Sequence, residues 1–292
     1  MRVAILSNGR GWHVSDVENA MVRRGHTVAV LPIDGMTGVI GAQPRTTAAS
    51  HVLETYDAVL VRTIPRGSLD QIIFRVDALH RLERQGVPVI NSAATIERTV
   101  NKYYASCLLE EAGLPTPRTY VAERLDDAIA AFHTLGDVVV KPLFGANGRG
   151  IVRISDEEIA HRVFRALELE RAVYYVQEFI PHDGRDVRAF VVGDRVVGAI
   201  ERRAVEWRTN LARGGHAERL TLPPEWESLS IRAARAVGAD YAGVDLLPTA
   251  ERGVLLLEVN GIPGWRGLKD ATGVDVADAF AAHVELRVRN NG

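Results

Sequence analysis

Two apolar runs separated by a turn-rich hexapeptide constrain this chain more than any other stretch. The first is Ala242-Gly243-Val244-Asp245-Leu246-Leu247 and the second Val254-Leu255-Leu256-Leu257-Glu258-Val259-Asn260, with Pro248-Thr249-Ala250-Glu251-Arg252-Gly253 between them. Runs so rich in Val and Leu, joined by turn residues, read as a β-hairpin. Folding about the turn sets Asp245 opposite Glu258, and the strand period puts Glu258 and Asn260 on one face. Three hard oxygen donors then converge. Such a set suits Mg²⁺, which takes oxygen ligands, keeps several waters and is completed by substrate phosphates. A solvent-facing polar strand end is the competing reading, although a carboxylate inside so apolar a run needs compensation.

At 292 residues the chain has room for one to three compact units. A formal charge of -2 supplies no electrostatic reason for nucleic acid or an anionic membrane as main partner. No apolar run reaches the roughly 18 residues of a membrane span. Met1-Arg2-Val3-Ala4-Ile5-Leu6 enters a strand directly instead of a signal peptide, so a cytoplasmic protein is expected. The single Cys107 excludes an internal disulfide framework and a multi-cysteine zinc site, and among Tyr103, Tyr104, Leu108 and Glu111 it reads as a packed thiol.

The first ninety-odd residues alternate strand and helix signals: strand at 3–6, helix at 15–24 closed by Gly25, strand at 27–31, an irregular segment, strand at 56–61, helix at 69–85 and strand at 87–91. Such alternation implies a parallel sheet covered by helices. Asn8-Gly9-Arg10-Gly11 after the first strand looks like the start of a nucleotide-binding loop, but Trp12-His13 breaks the fingerprint and a plain tight turn is favoured. A second unit starts near Ala93, with helices at 101–112, 126–135 and 157–169 and strands at 137–143, 150–154 and 172–180. Two strands around Gly193-Asp194 follow, then a helix at 225–237, the carboxylate hairpin and a last amphipathic helix at 274–288.

Val138-Val139-Val140-Lys141 places a lysine at the end of a buried strand, directly before Leu143-Phe144-Gly145-Ala146-Asn147-Gly148-Arg149-Gly150. The glycines would let backbone N–H groups approach phosphate oxygens while Lys141 supplies a point charge. No Gly-Lys-Ser or Gly-Lys-Thr closes the stretch, so it is not a P-loop, and without the lysine it would be an ordinary hairpin. Tyr175-Val176-Gln177-Glu178-Phe179-Ile180 runs into Pro181, and the open backbone groups of a strand that stops there can read an adenine edge. Arg188, Arg202, Arg203, Arg208 and Arg213 gather in a short span whose acid–base alternation also fits a solvated strand face; arginine forks suit phosphate and carboxylate.

In their order these motifs resemble the ATP-grasp ligases, and within them the RimK-like group of glutamate ligases. The resemblance runs from Ala93 onward through Asn101-Lys102-Tyr103, Lys141 with its glycine stretch, Gln177-Glu178-Phe179-Ile180 and Asp186-Val187-Arg188. It continues through Ile200-Glu201-Arg202-Arg203, Arg208-Thr209-Asn210-Leu211-Ala212-Arg213-Gly214-Gly215, Ala242-Gly243-Val244-Asp245 and Leu257-Glu258-Val259-Asn260. It implies an α/β chain, α+β in its C-terminal half: an ATP-grasp fold preceded by a parallel-sheet pre-ATP-grasp domain. The units expected are 1–92, a central lid subdomain at 93–175 and a C-terminal subdomain with the metal site at 176–292.

Carried over residue by residue, the resemblance implies that Lys102, Lys141, Gly145 and Gly148 meet ATP phosphates, that Gln177, Glu178, Phe179 and Ile180 hold adenine, and that Asp186 lies near the ribose. Arg208, Thr209 and Asn210 would also contact nucleotide. Asp245, Glu258 and Asn260 match the Mg²⁺ ligands, for two ions sharing Glu258, with Mn²⁺ as a substitute metal. Arg188, Arg203 and Arg213 are the candidates for the acyl phosphate and the incoming amino acid, and the stretch 145–150 is expected to be mobile without nucleotide. The segment Gly261-Ile262-Pro263-Gly264-Trp265-Arg266-Gly267-Leu268 departs from the group, which carries an aliphatic after Pro-Gly. Trp265 either faces a flat acceptor, with Arg202 beside it, or packs against the final helix; Glu206-Trp207 poses the same question. The implied activity is an ADP-forming carboxylate–amine ligase adding L-glutamate to a carboxylate acceptor, with no nucleic acid or membrane partner, as a homodimer or homotetramer. A dipeptide or glutathione-type ligase and a non-catalytic ATP-binding scaffold are the alternatives.

Overall fold

The computed structural model describes residues 1–145, 148, 150–209 and 215–291, the side chain of Asn291 excepted. Strands β1 (Arg2–Ser7) and β2 (Thr27–Pro32) flank helix α1 (Trp12–Arg23), which buries Val14, Val17, Ala20 and Met21 at helical spacing. Three short strands follow, β3 (Met36–Gly38), β4 (Thr46–Ala48) and β5 (His51–Val52), then β6 (Ala58–Val61), α2 (Leu69–Arg84) and β7 (Val89–Ile90). The first sheet has the order β2-β1-β6-β7 and every pairing is parallel, as the alternation predicts. The irregular segment is itself a small antiparallel sheet, β3-β4-β5, whose strands of two or three residues are too short to show a period.

Helices α3 (Ala93–Val100) and α4 (Lys102–Glu111) meet at Asn101, whose side-chain carbonyl accepts the Tyr104 N–H and starts α4. A second sheet is built from β8 (Thr119–Ala122), β9 (Val138–Lys141), β10 (Val152–Ile154) and β11 (Tyr174–Glu178), ordered β10-β9-β11-β8 and antiparallel. Helices α5 (Leu125–Leu135) and α6 (Glu157–Leu169) cover it through Ala128, Phe132, Ala160 and Phe164. The expected boundary at 175/176 falls inside β11, all of which belongs to this sheet.

The third sheet is β14-β13-β12-β15-β16, made of β12 (Arg185–Val192), β13 (Arg195–Arg203), β14 (His216–Arg219), β15 (Tyr241–Thr249) and β16 (Gly253–Asn260), with α7 (Pro224–Ala236) packed on it. Its hairpin has the register read from the sequence: Asp245 faces Glu258 and Gly243 faces Asn260. Beyond Asp245 the register shifts, and Leu257 is the extra residue of a bulge. Helices α8 (Arg266–Thr272) and α9 (Val276–Asn291) complete the chain. A single core joins the first and third units, with Ile5 of β1, Met21 of α1, Phe190 of β12, Tyr241 of β15, Trp265 and Phe280 of α9 all buried together. Arg24 clamps that seam by binding both oxygens of Glu285 at 3.0 Å and Asp278 at 3.0 Å.

Candidate active site

Alternation along the strands gives the third sheet two faces. Val187, Ala189, Val191, Val244 and Val259 lie on one, buried against Ala233, Ala234 and Val237 of α7. The other carries charge across four strands, with Arg202 opposite Asp186, Arg188 opposite Asp245 and Asp245 opposite Glu258. Arg202 holds both oxygens of Asp186 at 2.7 and 2.5 Å and reaches Asp245 at 3.1 Å. Arg188 holds both oxygens of Asp245 at 2.6 Å. Buried charges demand this kind of complete pairing. Burial alone would raise the Asp245 carboxyl, but the two guanidiniums outweigh it and hold it at about 2.

Glu258 sits at the open end of this row, its Oε1 3.8 Å from Lys102 Nζ. Lys102 opens α4 and donates to the Gly145 carbonyl at 2.8 Å. Lys141, last residue of β9, donates to Gln177 Oε1 at 2.6 Å. Burial draws the Lys141 ammonium down to about 8, and the negative charge of Glu258 limits the fall. The sheet end, the helix start and the hairpin thus bring Lys141, Lys102, Glu258 and the head of the glycine stretch into one cluster. Gly148 and Gly150 take φ of 66° and 74°, the left-handed region that favours glycine. The expected mobility of 145–150 involves Ala146, Asn147 and Arg149, which lie outside the described residues.

Several expectations need correction. The N–H groups of Glu178 and Phe179 are bonded to the Arg118 and Asp137 carbonyls at 2.9 and 2.8 Å, so neither N–H is open to a base in this arrangement. The Gln177 side chain is engaged by Lys141 and Thr119, and Glu178 Oε1 by the Arg118 N–H and Arg252. Phe179 is capped by Arg153 at 3.5 Å and meets Trp207 edge-on. Arg203 is exposed and bound to Glu201, away from the charged row. Trp265 is 1 % exposed, packed between Phe190, His13 and Arg62, with its indole N–H on Asp16, so it belongs to the core and cannot stack on an acceptor. The fork of Arg202 is likewise committed to Asp186. Arg208 binds the Ile151 carbonyl and Thr209 is buried; Asn210 and Arg213 lie outside the described residues.

Beside the cluster lies a cleft of about 1030 Å³, walled by Arg188, Arg202, Glu258 and Asn260, by His13 and Arg62 of the first unit, and by Arg266 of α8. His13 and Arg62 follow β1 and β6, adjacent parallel strands at which the sheet order reverses. Crevices at such strand ends are the usual ligand sites of open α/β sheets. The turn at Gly9 is a plain one with φ of 99°, yet it delivers His13 to the cleft wall. The residues from the first unit escaped the sequence reading because only the sheet order reveals their position.

Two lysines and the head of a glycine stretch meet an acid–amide hairpin beside the cleft, the parts that an ATP-dependent ligase needs. The chain belongs to the RimK-like ATP-grasp family: residues 99–284 match the RimK-like ATP-grasp domain and residues 1–96 the RimK pre-ATP-grasp domain. It is 38% identical to the tetrahydromethanopterin:alpha-L-glutamate ligase of Methanosarcina acetivorans over 267 residues, 82% of each chain. It is 36% identical to a probable alpha-L-glutamate ligase of Cellvibrio japonicus over 292 residues, covering 98% of this chain and 95% of the relative. The crystal structure of a RimK domain ATP-grasp protein from Sphaerobacter thermophilus superposes with a TM-score of 0.75 at 26% identity, covering 98% of this chain and all of that one. The protein is therefore an ADP-forming ATP-grasp ligase, an enzyme class that uses ATP and Mg²⁺.

The hairpin fits that metal. Glu258 and Asn260 offer hard oxygens on the polar face, and Glu258 is 35 % exposed. Asn260 Oδ1 accepts the Ile262 N–H at 3.0 Å, which fixes the oxygen and leaves it a lone pair. Asp245 is claimed by two arginines, yet a carboxylate accepts from about four directions. Two carboxylates and an amide leave coordination to be completed by phosphates and water, as Mg²⁺ prefers.

Proposed function

We propose that this enzyme joins the amino group of L-glutamate to a carboxylate of an acceptor through an acyl phosphate. The observation that carries the reading is the meeting of Lys141, Lys102 and Glu258 beside a cleft lined by arginine. A carboxylate is a poor acyl donor because oxide would have to leave. Transfer of the γ-phosphoryl group of ATP gives acyl phosphate and ADP; the amine then adds to the carbonyl, loses a proton and expels phosphate, leaving an amide. No side-chain nucleophile is required.

In this reading Lys141 and Lys102 bind phosphates with the backbone of Gly145 and Gly148, and Arg208 and Thr209 support the nucleotide while the base sits against Phe179 and Ile180. Two Mg²⁺ ions sharing Glu258, or Mn²⁺ in their place, would neutralise charge on the phosphoryl group at Asp245, Glu258 and Asn260. Arg188 faces the acyl phosphate from the polar row, and Asp186 and Arg202 keep Arg188 and Asp245 in place. An enzyme that spends ATP needs a compartment that supplies it, which favours the cytoplasm. Separately, among the described residues no helix is long and apolar enough to cross a membrane. Exposed Ile40, Leu69, Ile73 and Phe74 on the first unit support a homo-oligomer.

The name of the Methanosarcina relative makes tetrahydromethanopterin the first acceptor to try, and a glutamate-ended peptide serves as a second arm. The test is mass spectrometry of each acceptor, and of a cell extract, after incubation with enzyme, ATP, Mg²⁺ and labelled L-glutamate. A mass gain of one glutamyl residue with matching ADP release is expected. ADP release with free amino acids alone, or no labelled product in any arm, would overturn the reading.

A further inference from the structure

Among the described residues four arginines line the cleft, and three of them are committed. Arg188 and Arg202 are forked onto Asp245 and Asp186, and Arg62 gives Nη1 to the Tyr241 hydroxyl at 2.8 Å and Nη2 to the Pro263 carbonyl at 2.9 Å. Arg266 differs. Its side chain is 65 % exposed, its nearest carboxylate is Asp270 at 3.9 Å, and its guanidinium stands 5.8 Å from the Trp12 ring. Its backbone, by contrast, is held firmly. Asn91 binds the Gly261 carbonyl at 2.6 Å, Arg62 binds that of Pro263, and Asp16 takes the Trp265 indole N–H at 2.8 Å. His13 Nε2 accepts the N–H of Trp265 at 3.0 Å and that of Arg266 at 3.4 Å.

We propose that Arg266 is a specificity-determining residue that binds a second carboxylate of the acceptor, away from the one that reacts, and that His13 is the positioning residue that aims it. Rigid backbone under an uncommitted fork is the arrangement that reads a ligand charge at little ordering cost. Glu258 and Arg266 wall the same cleft, so an acceptor can reach both, its reacting end at the hairpin and its second acid at α8. His13 can accept only while Nε2 is unprotonated. Burial, reinforced by the Arg62 charge, lowers its pKa to about 4, so it stays neutral at physiological pH. The acceptor's role rests on the ligase reading above; the anion site does not.

The experiment is titration calorimetry of the full chain with Mg²⁺ and a non-hydrolysable ATP analogue, using the peptides Glu-Glu-Glu and Ala-Ala-Ala, the second of which carries a single carboxylate. Wild type should prefer Glu-Glu-Glu by about tenfold, the scale of a charge-assisted fork. Arg266→Ala should erase the preference and Arg266→Lys keep part of it. His13→Ala should reduce it, and His13→Gln, which carries an acceptor near the place of Nε2, should restore it. A preference that survives Arg266→Ala, or none in wild type, overturns the proposal. A preference without glutamyl transfer to any acceptor would remove the glutamyl-transfer reading and leave the anion site standing.

Discussion

Lys141 concentrates the conflict between stability and function in one side chain. Its ammonium is buried and its pKa lies near 8 instead of 10.5, so between those values the unfolded chain binds more protons than the folded one. The stability of nucleotide-free enzyme should therefore rise across that window, which urea midpoints from pH 7.5 to 10 will show. Affinity for ATP should move the other way, with KM climbing towards about tenfold per pH unit once the charge is lost. Lys141→Met should flatten both profiles; parallel profiles in the variant would remove Lys141 from phosphate binding. Glu258→Gln should cut ADP formation by at least about 100-fold while the thermal midpoint stays put, because Glu258 lies at the open end of its row. Unchanged turnover would sink the metal assignment. The pairing of Asp245 with Glu258 was legible because a hairpin is a local rule. The arginine grip on Asp245 was not, since Arg188 reaches it from a strand 57 residues away.

At the scale of elements, the glycine stretch is the most exposed to test. Gly150 holds φ of 74°, and a Cβ there would meet Pro142 at 3.5 Å, so conformation rather than crowding makes the residue necessary. Gly150→Ala costs about 1–2 kcal/mol of local strain. It should raise the KM for ATP several-fold with little change in thermal midpoint, because a surface loop can distort alone. An unaltered KM would mean the loop's backbone does not bind phosphate. Long periodic elements such as α6 were readable to the residue. The strands β3, β4 and β5 were not, nor was α3, whose eight residues end at the asparagine that caps α4 without proline or glycine. Trp265 had two readings because its neighbours in sequence, Gly264 and Arg266, give no packing partner and its neighbours in space come from α1 and β12.

For the whole molecule the seam between the first unit and α9 contributes acid sensitivity. Hydrogen bonds from Arg24, against the opposing effect of burial and with help from His26, lower the Glu285 pKa from 4.5 to about 2. That contribution is present above pH 4.5 and is lost as pH falls towards 2. Thermal midpoints between pH 5 and 3 should fall less steeply in Glu285→Gln than in wild type; identical slopes would show that the clamp carries no acid sensitivity. The sheets of the first and third units were each visible in the sequence, but their union was not. No periodicity announces that Met21 will touch a helix some 250 residues later.

That union has a consequence for synthesis. Ile5, Met21 and Trp265 remain without their full packing until α9 has left the ribosome, and the wall formed by His13 and Arg62 is assembled on the same seam. The nascent chain can complete its central sheet early, but it must wait for α9 before its acceptor cleft exists. Newly made enzyme should thus acquire a nucleotide-binding half before it can act on a substrate, a sequence that keeps half-made chains from spending ATP.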